Sequence, residues 1–118
     1  MAATRRIPLR VVFYREDDCW VAHCLEFDLV GHGDTKQESL GLLLEHIRSQ
    51  VEDSFASGNL ENLFFPAPGE IFDRFASGTP DDRAVGQFVF ESEQLELEGI
   101  QAREYPRPTS SDPSLATA

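Results

Sequence analysis

Long apolar runs are missing from this sequence. No stretch approaches the roughly 18–20 consecutive apolar residues that a bilayer span requires, so no membrane partner is expected. Arg5 and Arg6 are not followed by an apolar block, because Pro8 and Arg10 interrupt Ile7 to Tyr14. No signal peptide is read there. Cysteine is scarce as well. Cys19 and Cys24 are the only two. Five residues apart on one strand, they would face opposite ways and lie about 16 Å apart, beyond disulfide reach. Such sparing use fits a reducing cytoplasm, the expected location. No motif of catalytic spacing occurs, and no cofactor is expected.

Basic charge is the other scarcity. The 118 residues hold ten Lys and Arg against 21 Asp and Glu, a formal net charge of −11. Arg5, Arg6, Arg10 and Arg15 are the only charged residues before position 16. Everything beyond is strongly acidic. Such a surface repels phosphate backbones, so nucleic acid is not an expected partner and a basic protein is. Plain solubility is the alternative account of the same charge.

What is present is a single domain's worth of patterned sequence. Hydrophobic residues make up 41%, including nine Phe and one Trp, enough for one modest core. Ile7, Leu9, Val11 and Phe13 alternate with Pro8, Arg10, Val12 and Tyr14, which predicts a strand. Glu16-Asp17-Asp18 is a polar turn. A second strand follows from Cys19 to Phe27, antiparallel to the first. Cys19, Val21, His23 and Leu25 share one face of it, and Trp20, Ala22, Cys24 and Glu26 the other. Both faces are mixed, so the pattern does not say which meets a helix. A sheet apolar on both faces has the second covered by another subunit or element, and a homo-oligomer is expected on that ground.

Asp28 to Gly33 reads as a short third strand or bend. Thr35-Lys36-Gln37-Glu38 matches a capping box, with Asp34 as the competing cap. Leu40, Leu44, Ile47, Val51 and Phe55, widened by Leu43, then line one face of a helix about 33 Å long. Gly58 ends it. Phe64-Phe65-Pro66-Ala67-Pro68 reads as an extended segment returning to the sheet edge, since proline excludes helix interior. Pro68 to Ser77 predicts a short helix with Ile71, Phe72 and Phe75 inward. Residues 84–105 alternate again as one or two strands with a bend at Gly99. Their outward positions are Glu91, Glu93, Glu96 and Glu98. From Pro106 on, Pro, Ser, Thr and Ala without period predict a disordered tail. The expected fold is α+β: an antiparallel three-stranded meander packed on one long helix, with one or two additional C-terminal strands. Its core is residues 7–65 and its C-terminal extension 66–105.

Chemistry-bearing residues cluster in one place, where Cys19, His23, Cys24, His32 and Asp34 follow closely. Cys19 and His23 share a face but sit about 13 Å apart along it, too far for one zinc ion. Cys24 and His32 could meet only if the third strand pairs with the second. Gly31-His32-Gly33-Asp34 precedes a helix, but Asp34 and Glu38 put negative charge where a phosphate would sit. Tyr14 and Trp20 are candidate partner-binding anchors if their face is open. Glu91, Glu93, Glu96 and Glu98 are candidate rim charges.

One resemblance joins these pieces. Val21-Ala22-His23-Cys24-Leu25-Glu26-Phe27, followed by Gly33-Asp34-Thr35 at the helix entrance, resembles the signature of the HicB-like antitoxin domain. The resemblance covers about residues 7–65. It departs at Leu25, where the family often has Pro, and over Phe27-Asp28-Leu29-Val30. It implies a strand–strand–strand–helix–strand, truncated ribonuclease H-like fold. It also implies a non-enzymatic role: covering the active site and basic surface of a small ribonuclease toxin. Many members add a DNA-binding segment, but residues 79–118 show no such pattern. A ribonuclease H-like metal-dependent nuclease is the alternative. It would need a carboxylate within the first strand, and residues 7–14 contain none. A partnerless oligomeric structural protein is the third reading.

Overall fold

The computed structural model describes residues 5–81, 89–91 and 95–106. The alternating stretch at the start forms β1 (Arg5–Glu16), which turns back into β2 (Cys19–Cys24). The connecting pair Asp17 and Asp18 takes left-handed φ values of 52° and 64°. This two-residue turn matches the twist of antiparallel strands. β3 (Leu29–Gly33) pairs antiparallel with β2. Gly31 and Gly33 then let the next element press close. A Cβ on Gly31 would lie 2.2 Å from the Ser39 carbonyl and 2.4 Å from the Leu43 nitrogen.

That element is α1 (Lys36–Ala56). Thr35 is its cap: its hydroxyl accepts from the Glu38 N–H at 3.0 Å. Glu38 reaches back to the N–H of Asp34 at 3.0 Å, one residue beyond the cap N–H that a capping box engages. At the far end Gly58 has φ +71°, its N–H donates to Phe55 O, and the Asn59 N–H donates to Ser54 O. This Schellman arrangement satisfies carbonyls the helix would leave orphaned. Leu40, Leu43, Ile47 and Val51 are buried, while Leu44 and Phe55 are half-buried. Leu43, expected at the stripe's margin, is its centre, because the contact with Gly31 brings that turn onto the sheet.

The C-terminal part departs further from expectation. After a 3₁₀ turn at Leu60–Leu63 come α2 (Gly69–Ser77), β4 (Thr79–Pro80), β5 (Val89–Glu91) and β6 (Leu95–Glu104). The sheet is mixed and six-stranded, in the order β3-β2-β1-β6-β4, with β5 also pairing β6. β6 lies parallel to β1 and antiparallel to β4 and β5. The extension therefore supplies an interior strand rather than an appendage. Its register steps from Pro8–Glu98 to Leu9–Ile100, passing over Gly99 as a bulge. The segment from Phe64 to Pro68 forms no strand. Two of its residues lack an N–H, and it is tied to the sheet by the Ala67 N–H to Leu25 O at 2.9 Å. The expected tail lies outside the described residues beyond Pro106.

Two apolar layers result. Leu9, Val11, Phe13, Ala22, Cys24 and Ala102 face α1 and pack on Leu40, Leu43, Ile47 and Val51. Val12, Tyr14, Val21 and Leu25 face the other way, onto Ala67 and Ile71, with Phe72, Phe75 and Tyr105 alongside. The molecule is α+β, and the mixed sheet has a helix on each face. The second face is covered by the chain itself, so the reason for expecting a second subunit there is gone.

Candidate functional site

Strand parity decides where the chemistry-bearing side chains go. In the β1–β2 register Val12 opposes His23 and Arg15 opposes Trp20. Tyr14 and His23 thus share the face under α2, whereas Trp20 lies with Ala22 and Cys24 on the face under α1. The two expected anchors are on opposite sides of the sheet.

Tyr14 is in the core. Its ring lies beneath the Arg74 guanidinium at 4.5 Å, and Tyr105 flanks the same cation at 5.9 Å. Its hydroxyl is 2.9 Å from His23 Nδ1, and His23 Nε2 is 2.7 Å from Asp28 Oδ1. With the imidazole neutral and the carboxylate ionised, Nε2 donates to Asp28 and Nδ1 accepts from the phenol. Asp28 holds its place with φ 52° in the turn between β2 and β3. The result is a hydroxyl–imidazole–carboxylate chain.

That order matches an activated nucleophile on paper, but the environment works against it. Burial pushes the Tyr14 phenol above its ordinary pKa, Glu16 adds to the rise, and Arg74 opposes it. Tyr14 stays neutral, and α2 lies over it. The chain pins the β2–β3 turn to β1. Sequence reading missed it because its members are nine and five positions apart. The two-residue turn and strand parity together would have placed Tyr14 and His23 as diagonal neighbours.

Trp20 is half-buried and meets two cations. Arg15 lies 5.2 Å and Lys36 Nζ 5.1 Å from its ring centre. Lys36 also pairs with Asp81 at 2.5 Å and with Glu104. Burial alone would lower the Lys36 pKa, but those two carboxylates hold it above its ordinary value. The cluster ties the start of α1 to the end of β6 and to the residue after β4. At the other end of the hairpin, where its guanidinium lies 5.2 Å from the Phe72 ring centre, Arg10 donates from its backbone N–H and its Nε to Glu26 at 2.7 and 2.6 Å.

Both thiols are free. Burial pushes Cys24 up to about 12, so it remains a thiol and not a nucleophile. His32 is exposed on β3 opposite Val21, while Cys24 opposes Leu29, so no Cys24–His32 pair forms. Among the described residues no three His, Cys, Asp or Glu converge as a metal site. No helix among them is long and apolar enough to cross a membrane. Glu93 lies outside the described residues, as do the side chains of Glu91, Glu96 and Glu98. The backbones of Glu91 and Glu96 oppose each other across β5 and β6. No protein-family model, curated protein or solved structure matches this chain.

Proposed function

We propose that the chain is a non-enzymatic protein-binding module of the HicB-like kind, an antitoxin or a stand-alone relative of one, whose partner is a small basic ribonuclease-like protein. The observation that carries this reading is the order strand, strand, strand, helix over residues 5–56, with Val21 to Phe27 building β2 and its turn and Gly33-Asp34-Thr35 opening α1. The net charge of −11 supports a basic partner, because complementary charge steers association. The groups that could have argued for catalysis are engaged or suppressed: Tyr14 is covered, and Cys24 is held as a thiol. The nuclease alternative is weaker, since the middle of β1 carries no carboxylate and Glu16 stands exposed at its very end.

A pull-down from the native host at low and moderate salt tests the reading. Recovery of a basic protein that cleaves RNA, and stops cleaving when this chain is added, is the expected result. The chain alone should cut neither RNA nor DNA in Mg²⁺ or Mn²⁺. Cleavage that survives repurification would reverse the assignment. If light scattering finds self-association instead and no partner is recovered, the oligomeric structural reading takes its place.

A further inference from the structure

Between Arg48 and Arg74 the chain carries no Lys, Arg or His, but it does carry Glu52, Asp53, Glu61, Glu70 and Asp73. All five carboxylates are exposed. In the middle of this stretch stands Phe65, a large apolar side chain left 67% exposed to water.

Phe65 is not on a loose loop. On one side Leu63 is buried, and Phe64 packs edge-on against Phe27 with ring centres 5.9 Å apart. On the other, Ala67 is buried and bonded to Leu25 O at 2.9 Å. The Phe65 N–H itself donates to Leu63 O at 3.0 Å. Pro66 and Pro68 fix φ at two further positions. The backbone is therefore held on both sides of an aromatic ring that points outward. Pre-organised aromatics of this kind lose little freedom on binding and tend to dominate interface energetics.

We infer that the segment 61–73 is a docking epitope, in which Phe65 enters an apolar pocket of a basic protein and Glu61, Glu70 and Asp73 meet its surrounding cations. The occupant is basic because the charged side chains of the segment are all carboxylates and the cations next to it are engaged elsewhere, Arg10 with Glu26 and Arg74 on the Tyr14 ring. A second copy of this acidic chain would bring like charge to like. The inference rests on the binding-module reading and names the surface that does the binding.

The test is site-specific crosslinking in the native host, with Phe65→p-benzoylphenylalanine in the full chain and the same photoreactive residue at exposed Ser49 as the control. Irradiation should give an adduct with a basic protein at position 65 and none at 49. With that protein purified, Phe65→Ala should weaken binding by roughly tenfold or more. The triple variant E61Q, E70Q and D73N should weaken binding and flatten its salt dependence. Circular dichroism should stay unchanged, since these side chains are exposed. An adduct of two copies of this chain, an adduct with an acidic protein, or no adduct would each overturn the inference. So would an affinity that Phe65→Ala leaves unaltered. If the crosslinked protein is basic but cleaves no RNA, the epitope stands and the antitoxin reading fails. If a ribonuclease partner binds Phe65→Ala as tightly as the parent, the reading stands and the epitope fails.

Discussion

The two faces of the sheet are built on different principles. The face under α1 is apolar at its centre, with charge only at its edge around Trp20: Leu9, Val11, Phe13, Ala22 and Cys24 meet a capped helix of 21 residues. The face under α2 mixes Val12, Val21 and Leu25 with the Tyr14–His23–Asp28 chain and the Arg74 stack, beneath a helix of nine residues. Apolar contact is non-directional and roughly proportional to area, so the first face supplies stability. Buried polar groups must find particular partners or cost free energy. The second face therefore fixes register and turn position more than it adds stability.

The largest expected effect tests the first half of that contrast. Phe13 is fully buried against α1, and Phe13→Ala should cost about 3–5 kcal/mol in urea unfolding. A loss no greater than those found under α2 would erase the distinction. On the other face Tyr14→Phe keeps the ring under Arg74 but leaves His23 Nδ1 without its hydrogen-bond partner. A loss of about 1–3 kcal/mol is expected. The change should also loosen the β2–β3 turn, read as faster amide exchange at Asp28. Equal slowing or speeding throughout the sheet would show that the polar chain has no local task.

Alkali probes both faces at once. Cys24 under α1 is raised to about 12, and Tyr14 under α2 is raised above 10.0. Each folded pKa exceeds its unfolded value, so the unfolded chain gives up these protons first. The stability they contribute is complete below about pH 9, the unfolded thiol value, and is lost as pH rises toward 12. Each group adds a slope of at most about 1.4 kcal/mol per pH unit. Cys24→Ala should remove the part that begins near pH 9, leaving the later tyrosine part. A stability profile flat above pH 9 would contradict both burials. The smallest effect concerns the entrance of α1. Thr35→Ala removes the acceptor for the Glu38 N–H and should cost about 1 kcal/mol, while Asp34→Ala should do little. The opposite ranking in denaturation midpoints would move the cap to Asp34.

Much of the α1 side was legible beforehand, because its signals are local. Alternation marked β1 and β2, Thr35 and Glu38 marked the helix start, and Gly58 marked its end. The α2 helix was legible too, with Ile71, Phe72 and Phe75 turned inward. The site side was less so. Tyr14 and Trp20 read as two aromatics of one kind, yet one is sealed under α2 and the other sits between Arg15 and Lys36. Phe65 read as part of an extended segment returning to the sheet, yet Leu63 and Ala67 to either side of it are buried and its ring is not.

The sequence by itself determined the elements, since a period of two or of 3.6 and a capping side chain act over a few residues. It also determined the acidic charge, which no folding alters. Only the tertiary structure decided that β6 enters beside β1, about ninety residues away, and that α2 closes the second face. Those outcomes depend on which distant surfaces bury one another. Burial is non-directional, so it leaves no periodic mark in the chain that could announce its partner.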